Sequence, residues 1–173
     1  MIGLYVGRFQ PIHEGHTNVI RKALEQCDKL IIAVGSAQEA RTERNPLSYE
    51  ERETLIRSVF CEEVKSGKII IAGVPDREKP SNDSSWGVYL MHQVENKTGL
   101  KPNIIFEGAE IERSHWYDEL NLKVCRINRG LLPISATKIR EAVLNNDITK
   151  YKHCVPISIW WYYDDLRAIL SEI

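Results

Sequence analysis

The segment Lys29-Leu30-Ile31-Ile32-Ala33-Val34 has no polar side chain after its first residue, and Lys68-Ile69-Ile70-Ile71-Ala72 repeats the pattern. A strand apolar on both faces must be covered on both faces, which is the condition of a parallel sheet held between helix layers. Residues 2 to 6, Asn103-Ile104-Ile105-Phe106 and Leu122-Lys123-Val124-Cys125-Arg126 complete a set of about five strands. Between them, amphipathic stretches at Gly15 to Cys27, Tyr49 to Phe60 and Trp86 to Lys97 supply the crossovers that parallel strands need. Ser48 followed by Glu51 is a capping-box signal opening the second of these. Ser135 to Leu144 reads as a further helix and Ile157 to Ile173 as a terminal one. The alternation predicts an α/β chain with a Rossmann-like, doubly wound parallel sheet. Residues 1–173 are expected to form a single domain, in which 146–173 is a small C-terminal helical extension.

The first strand runs directly into Gly7-Arg8-Phe9-Gln10-Pro11-Ile12-His13-Glu14-Gly15-His16. Ligands of open α/β sheets sit beyond the carboxyl ends of strands, where the next helix offers unpaired N–H groups and the positive end of its dipole. The address therefore points to phosphate chemistry. His13 and His16, three apart, share one face of that helix's first turn and are suited to donate hydrogen bonds to phosphoryl oxygens. Gly7 permits close backbone approach, Pro11 stiffens the turn, and Gly15 lets a phosphate reach the helix start. The dinucleotide fingerprint G-x-G-x-x-G is absent between Gly3 and Gly15, which removes the main support for a dehydrogenase. Zinc is the other use of paired histidines, but it wants three or four ligands and no partner motif supplies them, so no protein-held metal is expected.

A second constellation is Ile134-Ser135-Ala136-Thr137-Lys138-Ile139-Arg140. Ser135 suits a helix cap, and Lys138 and Arg140 add positive charge within two turns. Alone, the segment is equally a plain helix start with solvated charges. Together with the first motif it could bring Arg8, His13, His16 and Arg140 around one polyphosphate.

Composition narrows the partners. Lys plus Arg total 23 against 24 for Asp plus Glu, so no global field recruits nucleic acid or an anionic membrane. Small molecules are the expected partners. Four cysteines are scattered without a C-x-x-C pair, and no basic leader precedes a long apolar segment, which suggests a reduced, cytoplasmic protein. No apolar run approaches the roughly 20 residues needed to cross a bilayer.

Both motifs carry a resemblance. G-R-F-Q-P-x-H-x-G-H and I-S-x-T-x-I-R look like the signature of the HxGH nucleotidyltransferase superfamily. The Arg-Phe-Gln-Pro core is similar to that of nicotinamide mononucleotide (NMN) adenylyltransferases, particularly the archaeal type and its bacterial relatives fused to Nudix domains. Gly35-Ser36-Ala37-Gln38, Arg44-Asn45-Pro46 leading to Tyr49-Glu50-Glu51-Arg52, and Val74-Pro75-Asp76 followed by Asn82-Asp83-Ser84-Ser85-Trp86 occur in the family's order. The match spans roughly residues 2 to 145. The resemblance implies that ATP and NMN give NAD and pyrophosphate, with Mg2+ accompanying the ATP. It implies His13, His16, Arg8 and Arg140 as catalytic groups. It places ATP against Gly7, Arg8, Phe9, Gln10, His13, Gly15, His16, Gly108, Ile134, Ser135, Thr137 and Arg140, and the mononucleotide against Arg44, Asp76, Asn82, Asp83 and Trp86. An indole face at Trp86 would stack on the pyridine ring; the alternative is a core tryptophan opening an amphipathic helix.

Two departures from the family pattern matter. Relatives often carry Ser-Gly-Asn or Thr-Gly-Asn after the fourth strand, where this chain reads Phe106-Glu107-Gly108-Ala109-Glu110, so an amide contact there is not carried over. Trp160-Trp161-Tyr162-Tyr163 has no motif counterpart, and four consecutive aromatics cannot all face one core on a helix. Self-association is expected, as is common among proteins of this type. The polar segment Asp76 to Ser85 reads as a substrate-binding loop ending at Trp86. His92, His115 and His153 read as helix-face or surface residues. A cytidylyltransferase, a phosphopantetheine adenylyltransferase and a non-catalytic nucleotide sensor are the competing readings of the same motifs.

Overall fold

The computed structural model describes residues 1–77, 84–109, 115–128 and 134–173. Among them, strands β1 (Ile2–Gly7), β2 (Lys29–Val34), β3 (Ile69–Gly73), β4 (Ile104–Gly108) and β5 (Lys123–Ile127) form a sheet in the order β3-β2-β1-β4-β5. Every neighbouring pair is parallel, with Leu4 of β1 opposite Ile31 of β2 on one side and Ile105 of β4 on the other. The chain builds outward from β1 to β3, then returns to the opposite side of β1 for β4. That reversal puts the topological switch point at the carboxyl ends of β1 and β4, where open α/β sheets bind ligands.

The apolar runs are buried on both faces, as their sequence demands. Leu30 through Val34 are each 0% exposed. Leu30, Ile32, Val34, Ile104 and Phe106 point into the larger core, shared with α1 (Glu14–Leu24), α2 (Tyr49–Val59), α5 (Ala136–Leu144) and the C-terminal elements. Leu4, Ile31 and Ala33 pack on the other side against Leu90 and Val94 of α4 (Ser84–Thr98). Each buried Val, Leu, Ile or Phe side chain here contributes about 1.5–3 kcal/mol by leaving water. The capping box opens α2 where the sequence places it, with the Glu51 N–H donating to Ser48 Oγ at 3.2 Å and the Ser48 N–H to Glu51 Oε2 at 2.7 Å.

The C-terminal region differs from a single terminal helix. Ile157–Tyr162 is a 3-10 turn, and the α-helix begins only at Tyr163, as α7 (Tyr163–Ser171). The aromatic run explains the change. A 3-10 turn brings residues three apart into line, so Ile159 and Tyr162 are both buried while Trp161 faces outward at 56% exposure. Trp160 is half-buried, its indole N–H donating to the carbonyls of Lys152 and Val155 at 3.2 and 3.3 Å. Two short helices, α3 (Cys61–Lys65) and α6 (Ile148–Cys154), have no periodic signal in the sequence. His92, His115 and His153 are exposed, in keeping with their reading as surface residues. No described helix is long and apolar enough to cross a membrane.

Candidate active site

The turn after β1 is locked by its own side chains. A Cβ at Gly7 would lie 2.9 Å from the Phe9 ring, so this glycine makes room for the phenyl group. Phe9 is buried with φ at 52°, and its ring faces His16 at 4.8 Å. The Gln10 amide is buried and doubly bonded to Leu47, donating to its carbonyl at 3.0 Å and accepting its N–H at 2.9 Å. These bonds tie the turn to the segment between β2 and α2.

His13 is the N-cap of α1 and is 1% exposed. Its Nδ1 accepts the Gly15 N–H at 3.1 Å, so in the neutral ring the proton sits on Nε2. The sequence assigns the Gly15 position to an approaching phosphate; here its amide donates to His13, whose side chain lines the cleft described below. His16 stacks on His13 with ring centroids 3.7 Å apart. The two imidazoles therefore act from one spot at the helix start.

The other wall is the start of α5. Ser135 caps it by accepting the Lys138 N–H at 3.3 Å, which leaves the first-turn amides of Ala136 and Thr137 for an anion. Arg140, one turn on, donates from Nη1 to the Gln10 carbonyl at 2.9 Å and so joins the two walls. Between them lies a cleft of about 440 Å3, lined by Arg8, Phe9, Gln10, His13 and His16 from the first wall and Ser135, Ala136, Thr137 and Arg140 from the second. Arg44 closes it from the β2–α2 segment. Its neighbour Arg41 is already committed, forming two 2.7 Å bonds to the Glu51 carboxylate and one of 2.8 Å to the Pro46 carbonyl.

Three guanidiniums thus face one cavity. Burial, then repulsion from Arg44, holds Arg8 below the usual arginine pKa, with Asp76 and Glu39 offsetting part of the effect. Burial, then Arg8, does the same to Arg140, against Glu43 and Glu141. An anion bound between them relieves both the repulsion and the poor solvation. Among the described residues no group of three or more His, Cys, Asp or Glu side chains could hold a metal ion.

The residues assigned to the mononucleotide are divided. Arg44 joins the arginine cleft. Asp76 and Trp86 do not line it. Asp76 is paired with Gln38, its N–H donating to Gln38 Oε1 at 3.0 Å while Gln38 Nε2 donates to its carboxylate at 3.2 Å. Trp86 stands edge-to-face with Trp116 at 5.2 Å and 83°, and Trp116 meets Tyr117 in the same manner at 5.0 Å. Asn82 and Asp83 lie outside the described residues, as does most of the loop leading to Trp86. Gly108 ends β4 opposite Ile127, and Ile134 packs against the larger core without reaching the cleft.

Sequence reasoning missed three groups. Tyr117 donates to Glu107 Oε1 at 2.9 Å, and Arg126 Nε reaches the same oxygen at 2.9 Å, so the unusual Glu107 is a buried tie between β4 and β5. Trp116 carries no signal beyond being aromatic. Arg52 is fully buried and bonds only backbone carbonyls, a use no local pattern announces.

A sequence profile described as cytidylyltransferase-like matches residues 4–158 of the chain. The chain belongs to that family. Among curated relatives it is 31% identical to a nicotinamide-nucleotide adenylyltransferase of Thermococcus sibiricus, over 98% of this chain and 86% of that one. It is 30% identical to the protein of the same name from Pyrococcus furiosus, over 96% and 85%. A crystal structure of a bifunctional NMN adenylyltransferase/ADP ribose pyrophosphatase from Francisella tularensis, complexed with AMP and a manganese ion, superposes with a TM-score of 0.71 at 24% identity. That likeness is one of fold; it covers 96% of this chain and 52% of the other, so this chain spans about half of that protein. Within the cytidylyltransferase-like family, these curated relatives fall in the nicotinamide-nucleotide adenylyltransferase group that the motifs indicate.

Proposed function

We propose that the chain transfers AMP from ATP to the 5′-phosphate of NMN, giving NAD and pyrophosphate. The observation that carries this reading is the convergence of Arg8, Arg44 and Arg140 with two stacked imidazoles and an open helix start in one cleft at the switch point of the sheet. The 31% identity to a nicotinamide-nucleotide adenylyltransferase supports the choice of acceptor.

The reaction needs no covalent intermediate. A phosphate oxygen of NMN attacks the α-phosphorus of ATP while the bond to the β-phosphate oxygen breaks and pyrophosphate leaves with the electron pair. Catalysis then rests on in-line positioning and on stabilising charge that moves onto the leaving group. Arg8, Arg140 and the amides of Ala136 and Thr137 hold the polyphosphate tail. His13, with its proton on Nε2, and His16 hold the transferring phosphate. Arg44 reaches phosphate from the opposite rim. A divalent cation, Mg2+ in our reading, enters with ATP as part of the substrate and neutralises phosphate charge. Trp86, which stands edge-to-face with Trp116, is the residue we assign to the cationic pyridine ring. We read residues 1–173 as one nucleotidyltransferase domain, and the four free cysteines suit a cytoplasmic setting.

The purified protein is expected to form NAD and release pyrophosphate with ATP and NMN, and to do so far less well with CTP and phosphorylated alcohols or with ATP and phosphopantetheine. Preference for either of the latter pairs would overturn the assignment. Replacing NMN by nicotinic acid mononucleotide in the same assay determines which pyridine is used. We also propose self-association through the C-terminal face, where Ile157 and Trp161 are 74% and 56% exposed. Equilibrium sedimentation at micromolar concentration should show an oligomer; a monomer alone would refute it.

A further inference from the structure

Arg52 sits on the first turn of α2 and is 0% exposed. Helical side chains lean toward the helix N-terminus, which carries this guanidinium past the start of α2 to the carboxyl ends of β1 and β2. There Nη1 donates to the Arg8 carbonyl at 3.0 Å and the Gly35 carbonyl at 2.7 Å. Nη2 donates to the Ser36 carbonyl at 3.1 Å, and Nε to the Ser48 carbonyl at 3.1 Å. No carboxylate is among these bonds.

The placement is electrostatically costly. A buried cation lies at the positive end of a helix dipole; burial holds its pKa below the usual arginine value, Glu50 and Asp76 offset part of that through space, and Arg8 adds a smaller repulsion. If those carbonyls only needed donors, a neutral group or water would serve at lower cost. What a guanidinium adds is a rigid planar fork that holds several acceptors in one fixed arrangement. The acceptors are informative. Arg8 is the first arm of the phosphate cleft, and Ser36, with φ at 49°, begins the segment that delivers Arg44 to its other rim.

We propose that Arg52 is a positioning residue for nucleotidyl transfer: by fixing the carbonyls of Arg8, Gly35 and Ser36 it sets the separation between Arg8 and Arg44 across the polyphosphate. The proposal rests on the adenylyl-transfer reading of the cleft. It holds that Arg52 acts through Arg8 and Arg44 and touches no substrate itself.

Arg52→Met keeps the stem and removes the fork, while Arg52→Lys keeps the charge and part of the bonding. With ATP and NMN, kcat per folded molecule is expected to fall about a hundredfold in the methionine variant, the cost of misplacing reactive groups by roughly an ångström. Lysine should recover about tenfold of that loss. A double-mutant cycle of Arg8→Lys with Arg52→Lys decides the matter even if the methionine variant does not fold. Non-additive effects on kcat, by about fivefold or more, are expected for groups that act through one another. Independent effects, or variants that lose melting temperature while each folded molecule turns over normally, would overturn the proposal. The wild-type assay separates this from failure of the parent reading: if ATP and NMN are inert but another nucleotide pair releases pyrophosphate, the cycle is run on that pair and tests Arg52 in the same way.

Discussion

His16→Ala is expected to lower kcat by about two to three orders of magnitude while the KM values for ATP and NMN stay within about threefold. The size is that of one preorganised donor lost from a site where charge develops, about 2.7–4 kcal/mol. The geometry supports a transition-state role over uniform binding. His16 is held by stacking on His13 at 3.7 Å and by the Phe9 ring at 4.8 Å, so its orientation is set before any ligand arrives. Ground-state phosphate binding already has three guanidiniums and a helix start to draw on, so removing one imidazole should change affinity little. His13→Ala provides the contrast. It removes the Nδ1 acceptor of the Gly15 N–H, and with it the cap of α1, so stability should fall by about 0.5–2 kcal/mol in addition to the loss of rate. Steady-state kinetics and thermal unfolding of the two variants separate the roles. A rise in the KM for ATP at unchanged kcat would make His16 a binding residue only.

The sheet is legible in the sequence because its information is local. Apolar runs set the five strands to within a residue or two at most ends, and the Ser48 and Glu51 pair sets the start of α2. The elements that escape are short. Neither α3 nor α6 is long enough to be stable alone, and α3 buries no side chain, so its formation depends on its neighbours and not on an apolar stripe. The phosphate half of the site is readable for the same reason as the strands: one turn and one helix start carry most of it. Contacts between residues far apart in the chain cannot be read in this way. Arg52 bonds to Arg8 across 44 positions, and Trp86 meets Trp116, 30 residues on, edge-to-face. Gly7 has a packing reason as well. Its position before a phosphate motif suggests ligand approach, and a side chain there would also meet the protein's own Phe9 ring.

Gly87→Ala should destabilise the protein, against the usual effect of that change inside a helix. Replacing a helical glycine with alanine ordinarily gains about 0.8–1 kcal/mol. Here the added methyl would lie 2.1 Å from the Trp116 carbonyl oxygen, a backbone atom that cannot swing aside, and 3.3 Å from a Leu120 methyl. Forcing a carbon into packed structure costs about 1–3 kcal/mol, so the clash outweighs the propensity gain. A net loss of up to about 2 kcal/mol corresponds to a fall of up to about 8 °C in Tm for a chain of this size. The same displacement has a kinetic signature. Moving α4 away from Trp116 removes the edge-to-face partner that fixes Trp86, and the KM for NMN is expected to rise about tenfold because a stacked base depends on ring orientation. The KM for ATP should not follow, since neither tryptophan lines the arginine cleft. Val88→Ala, at an exposed position one residue along the same helix, serves as the control and should change stability by no more than about 0.5 kcal/mol. Differential scanning calorimetry and initial rates with each substrate varied in turn test both halves. A stabilised Gly87→Ala protein would contradict the packing argument. A destabilised one with an unchanged KM for NMN would leave the packing intact and remove Trp86 from the acceptor site.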